Sequence, residues 1–130
     1  MAAVLIAEDE ALLLSAIADF LRRRGFTVME ARSAAEALAV LKTEATVDVV
    51  FSDVNMPGGM DGFELAHWMR QHRPGVPVML TSAKVRKVTR TTAANDEVMN
   101  FLPKPYDPSC VERTIRRLVS EAGSARSACG

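Results

Sequence analysis

No stretch of this 130-residue chain is apolar for the roughly twenty residues a helix needs to cross a bilayer. Its first residues, Met-Ala-Ala-Val-Leu-Ile-Ala, carry no positive charge and run into Glu8-Asp9-Glu10 too soon for a secretory signal. Cysteine is scarce: Cys110 and Cys129 form neither a CxxC nor a metal-ligand spacing, so a zinc centre and a disulfide framework are both unexpected. Reduced thiols and no leader point to the cytoplasm. Neither sign of charge is in excess, with 16 Lys and Arg against 16 Asp and Glu. There is thus no basic footprint for nucleic acid and no acidic solvating tail. Neither GxxxxGK[ST] nor GxGxxG follows a strand, which removes P-loop and dinucleotide enzymes. His67 and His72, five apart on a helix, diverge by roughly 140° and share no ligand face.

What is present is an ordinary globule, 48% apolar and 25% charged, with no internal repeat or linker. Residues 3–7 form an apolar run without alternation, as in a strand covered on both faces. A helical pattern follows, with Leu13, Ile17, Phe20 and Leu21 inward, stopped by Arg22-Arg23-Arg24 and Gly25. Residues 26–30 read as a second strand. Ser33-Ala34-Ala35-Glu36 is a capping box opening a helix with Ala34, Ala37, Leu38 and Leu41 inward. A strand over 48–52 leads to Asp53 and a loop of one Pro and three Gly. Asp61-Gly62-Phe63-Glu64 starts a helix burying Phe63, Ala66 and Met69. A strand spans 76–81, and 84–96 is at best a weak, Thr-rich helix. A strand over 98–102 precedes Asp107-Pro108, an N-cap followed by Pro at the first helical position. The last helix buries Val111, Ile115, Leu118 and Val119, with its arginines solvated. A domain over 1–121 and a disordered tail over 122–130 are expected.

Strands alternating with helices give an α/β doubly wound sandwich with a five-stranded parallel sheet. In such a sheet Glu8-Asp9, Asp53, Thr81-Ser82 and Lys104 converge at the carboxyl ends of the strands. Asp53 alone could as well cap a turn. Three carboxylates gathered there repel by several kcal/mol per close pair, at an effective dielectric of ~20 and ~4 Å. Either some take up protons or a hard divalent cation sits among them, and Mg²⁺ suits such oxygens.

Four segments together resemble the receiver domains of bacterial two-component response regulators of the chemotaxis type. They are Leu5-Ile6-Ala7-Glu8-Asp9-Glu10, Asp53-Val54-Asn55-Met56-Pro57-Gly58-Gly59-Met60-Asp61-Gly62, Pro77-Val78-Met79-Leu80-Thr81-Ser82-Ala83 and Lys104-Pro105-Tyr106. The resemblance covers residue 3 to about 120 and implies a flavodoxin-like (βα)5 fold, strand order 2-1-3-4-5. It implies that Asp53 takes a phosphoryl group from a phosphohistidine of a sensor kinase. Mg²⁺ would be held by Asp9, Asp53 and the backbone carbonyl of Asn55, with Glu8 acting mainly through water. Lys104 would neutralise phosphoryl oxygens, and the Lys104–Pro105 bond would be cis. Ser82 would be the switching hydroxyl, with Thr81 the alternative, and Phe101 the aromatic that follows it. Departures are the Gly58-Gly59 lengthening of the loop, Glu8 where Asp is commoner, and an atypical 84–97 segment.

The resulting expectation is a signalling phospho-acceptor, not a turnover enzyme, binding a sensor kinase or phosphotransfer protein and an unknown downstream protein. It is expected to be a monomer or weak dimer without an output domain. A phosphorelay intermediate or fragment of a hybrid kinase is the alternative. A receiver-like module that is never phosphorylated is a further one. An aspartyl-phosphate phosphatase is disfavoured because Asn55 occupies the position of its general acid.

Overall fold

The computed structural model describes residues 2–43, 45–83 and 100–129, the stretch 123–129 by backbone alone. The expected weak helix over 84–96 and the first two residues of the expected last strand lie outside the described residues. Five parallel strands, β1 (Ala3–Ala7), β2 (Thr27–Ala31), β3 (Val49–Asp53), β4 (Val78–Ser82) and β5 (Asn100–Pro103), lie in the order β2-β1-β3-β4-β5. This is the flavodoxin-like order, as expected. Among the described residues the helices are α1 (Ala11–Arg23), α2 (Ala34–Leu41), α3 (Gly62–His72) and α4 (Pro108–Cys129).

Every residue of β1 and β3 is buried, because helices cover both faces of the central sheet. Alternate residues serve opposite faces. Val4, Ile6, Val49, Phe51 and Met79 pack with Leu14, Ile17 and Leu21 of α1 and with Val111, Ile115 and Leu118 of α4. Leu5, Ala7 and Val50 pack with Ala34, Ala37 and Leu41 of α2 and with Leu65 and Met69 of α3. The strand order reverses between β1 and β3, so the crevice at their carboxyl ends is the switch point where such sheets place ligands.

Helix faces differ from expectation by about one residue at their edges. In α1 the fully buried set is Leu14, Ile17, Ala18 and Leu21, with Leu13 and Phe20 half-buried. In α3 it includes Gly62 and Leu65, and Phe63 stands half-buried; Leu38 of α2 and Val119 of α4 are also only half-buried. Amphipathic stripes are broad, and small residues such as Ala18 mark the line of closest approach better than large ones. At Ser33 only half of the expected box forms: Ser33 Oγ accepts from the Glu36 N–H at 3.1 Å, while the Glu36 carboxylate accepts from the Arg32 N–H instead. The reciprocal box is at α3, between Asp61 and Glu64. Asp107 caps α4 as expected, accepting from the Ser109 N–H at 2.9 Å.

The backbone of α4 continues as helix through Cys129, where a loose tail was expected from 122. Ala122, Ala125 and Ala128 favour helix and no Pro stops it. Its arginines are less free than a solvated face implies. Arg116 lies 4.7 Å from the Phe26 ring centroid and, like Arg24, pairs with Glu112, tying α4 to the end of α1. Hydrogen bonding from Arg24, reinforced by Arg116, holds the Glu112 carboxyl below its ordinary pKa. His72 stacks on Trp68 with ring centroids 4.3 Å apart, one turn along α3.

The first residue of α3 packs directly on the end of β3. A Cβ on Gly62 would run into the Asp53 carbonyl oxygen and stand 2.8 Å from Val54 Cα, and both are backbone atoms that cannot rotate away. Gly62→Ala should therefore lower stability by about 1–3 kcal/mol, the usual cost of overpacking. Urea denaturation measures this; an unchanged midpoint would show that α3 can slide without cost.

Candidate functional site

Asp53 ends β3 rather than following it, 5% exposed. Glu8 comes directly after β1 and is 2% exposed, held in part by its N–H bonding to the Ala31 carbonyl of the β2 edge at 3.0 Å. Asp9 beside it is half-buried. One oxygen from each of Glu8, Asp9 and Asp53 falls within 4.8 Å of the others. Lys104, just past β5, inserts among them with its side chain 17% exposed. Its Nζ lies 3.0 Å from Glu8 Oε1 and 3.0 Å from Asp53 Oδ2. The Lys104–Pro105 peptide is cis.

The electrostatics follow from burial. Desolvation raises the Glu8 pKa, opposed by hydrogen bonds from the Glu10 N–H and from Lys104 and reinforced by the nearby Asp53 charge. Desolvation works against the Lys104 charge too, but the bonds and charges of Glu8 and Asp53 outweigh it, and the Lys104 pKa rises. The Tyr106 phenol, edge-on to Phe51 at 5.4 Å, is pushed far up by burial and then by Glu8, Asp53 and Glu10, so it stays a neutral hydroxyl.

The donor set fits a hard divalent cation. Three carboxylates and one ammonium leave a net charge of −2, and hard oxygens, those of Asp9 only half-buried, suit Mg²⁺. Both oxygens of Glu8 already have partners, Lys104 on one and the Glu10 N–H at 3.0 Å on the other. Asp53 is likewise engaged, by Lys104 on one oxygen and the Asn55 N–H on the other, so Asp9 is the most open of the three carboxylates to a cation.

Of the two hydroxyls ending β4, Ser82 is 1% exposed and receives the Asn55 side-chain amide at 2.9 Å. The Asn55 N–H also reaches Asp53 Oδ1 at 3.2 Å. The expectation for Asn55 concerned only its backbone carbonyl, and nothing in the sequence announced this side-chain bond. Thr81 is 2% exposed, paired in register with Asp53, and its Oγ1 has no hydrogen-bond partner among the described residues. Parallel partners project to the same face, so Thr81 shares the Asp53 side of the sheet and Ser82 points to the other. Phe101 is half-buried against the cluster of Val54, Ala66 and Leu80. In the Gly58-Gly59 loop, Gly58 takes φ +98°, a conformation that favours glycine there.

The profile of the response regulator receiver domain matches residues 4–116. The chain belongs to this family. It is 38% identical over 116 residues to the response regulator protein FleR of Pseudomonas aeruginosa, covering 89% of this chain and 24% of FleR. It is 32% identical over 121 residues to the sensor kinase CckA of Brucella abortus, covering 92% of this chain and 13% of CckA. The chain thus spans a quarter or less of these relatives. Among solved structures, a CheY-like receiver domain from Methanospirillum hungatei superposes with a TM-score of 0.87 at 22% identity, covering 96% of this chain and 98% of that one, a likeness of fold. The chain is thus a receiver domain of the response regulator family, with the fold of a signalling domain. Among the described residues no helix is long and apolar enough to cross a membrane.

A buried hydroxyl without a partner costs about 1–3 kcal/mol. Thr81→Val should accordingly leave the urea midpoint of this receiver unchanged or raise it. A loss above about 1 kcal/mol would mean that the hydroxyl is satisfied in solution.

Proposed function

We propose that the unit over residues 1–121 is a cytoplasmic phospho-acceptor switch, taking a phosphoryl group on Asp53 from a phosphohistidine of a sensor kinase or phosphotransfer protein. The carrying observation is the Lys104 ammonium 3.0 Å from both Asp53 and Glu8, one cation serving two buried acids. An Asp53 oxygen forms the new O–P bond while the P–N bond of the donor breaks and its electron pair returns to the imidazole. Phosphoryl transfer needs placement and charge neutralisation more than covalent assistance, and these residues supply both. Lys104 orients the Asp53 carboxylate and offers a compact positive charge to the equatorial oxygens. Asp9, Asp53 and the Asn55 carbonyl would hold Mg²⁺, with Glu8 behind them. When bound, Mg²⁺ supplies the positive charge that lets an anionic phosphoryl group approach three carboxylates.

Asn55 stands two residues after Asp53 where such a phosphatase has its general acid, which favours stoichiometric labelling over turnover. Added charge of about −1.5 to −2 at Asp53 then biases Ser82 and Phe101, and through them the surface offered to a downstream protein.

Incubation with acetyl phosphate and Mg²⁺ should add one phosphoryl group, mapped to Asp53 by mass spectrometry. Asp53→Asn should abolish the incorporation with the fold intact by circular dichroism. Labelling that persists on another residue would overturn the reading. Lys104→Ala should still label but respond weakly in its amide spectrum, and a full response would remove Lys104 from its role.

A further inference from the structure

We infer that the Asn55 side chain is a positioning residue that latches the Ser82 hydroxyl away from Asp53 in the resting state; this rests on the reading of Ser82 as the switching hydroxyl. Asn55 touches both groups at once, through its N–H to Asp53 Oδ1 at 3.2 Å and its amide to Ser82 Oγ at 2.9 Å. An exposed side chain thus secures a hydroxyl that is 1% exposed, 27 residues along the chain. Ser82 ends β4 with its side chain on the face opposite that of the Asp53–Thr81 pair. Its movement toward Asp53 must break the Asn55 bond.

Magnitudes decide the direction. The bond at rest joins two neutral groups, and hydrogen bonds to an ionised partner are roughly twice as strong. A phosphoryl group on Asp53 presents anionic oxygens, which outbid the amide for the hydroxyl. At rest both Asp53 oxygens are already engaged, by Lys104 and by the Asn55 N–H, and the amide holds the hydroxyl. Either orientation of the amide closes the latch, since a hydroxyl donates as readily as it accepts. A neutral bond of this kind biases a two-state equilibrium by roughly three- to tenfold.

The test uses the full chain as wild type, Asn55→Ala, Ser82→Ala and the double variant. Amide spectra of β4 and β5 are recorded without phosphodonor, and the wild type also with beryllofluoride and Mg²⁺ as the reference for the switched state. Asn55→Ala should move the resting resonances toward that reference, with a three- to tenfold larger switched population, and Ser82→Ala should erase the movement. A urea double-mutant cycle on the same variants reads the bond directly and should show non-additivity. Additive variants, or an Asn55→Ala shift that survives in the Ser82→Ala background, overturn the latch. Because the resting measurements need no phosphorylation, a wild type that fails to label at Asp53 strikes the phospho-acceptor reading while the coupling is judged separately. Asn55 is exposed, so its truncation leaves the core intact.

Discussion

The arrangement turns on one ammonium between two acids. Carboxylates no more than 4.8 Å apart repel by about 3 kcal/mol per pair at an effective dielectric of ~20, and a lysine at 3.0 Å returns about 5 kcal/mol per contact. Lys104 thus roughly balances the mutual repulsion of Glu8, Asp9 and Asp53 and leaves little to offset their desolvation. The raised Glu8 pKa reflects that remainder. A site built this way tolerates its own charge at rest but remains two units negative, an imbalance that suits a divalent cation. Removing Lys104 costs more than one ion pair, because it strands two buried charges.

Such convergence needs a rigid frame. The crossover between β1 and β3 brings Glu8 and Asp53 to one rim, and the parallel pairing of β3, β4 and β5 carries Ser82 and Lys104 beside them. The N–H of Lys104 bonds the Ser82 carbonyl at 3.2 Å, so the cation and the hydroxyl share one ladder. Behind Asp53, the N–H of Gly62 bonds the Val54 carbonyl at 2.8 Å, holding the start of α3 against the strand end. The α1–α4 ion pairs around Glu112 serve the other end of the layer and leave the rim to its own chemistry.

Much of this was legible without coordinates. Uninterrupted apolar runs ending on acids mark buried parallel strands whose carboxyl ends carry function, and the order of Glu8, Asp9, Asp53 and Lys104 along the chain suffices to bring them together once the sheet is doubly wound. Local signals were weaker where two partners competed. Glu36 chose the Arg32 N–H over that of Ser33, a choice no pattern encodes. The strand ends shifted by one or two residues, which matters at β4 because Ser82 proves to be inside the strand and not beyond it. Contacts between distant side chains, Asn55 to Ser82 above all, leave no periodic trace, since each residue taken alone is an ordinary polar group in a turn or at a strand end.

The two hydroxyls of β4 show how one residue of register divides labour. A strand alternates faces, so Thr81 and Ser82 start from opposite sides of the sheet, and Ser82, the last residue of β4, reaches the rim from the far side. Ser82 has the amide of Asn55, and its burial therefore costs little. Thr81 has none, although it stands across from Asp53 on the same side of the sheet. If the partnerless hydroxyl were the moving part, it could gain a bond to an anion but would have none to hold it at rest. A switch needs two alternative partners of unequal strength for one group. In the proposed switch Ser82 has a neutral amide on one side and a prospective anion on the other, two partners of unequal strength.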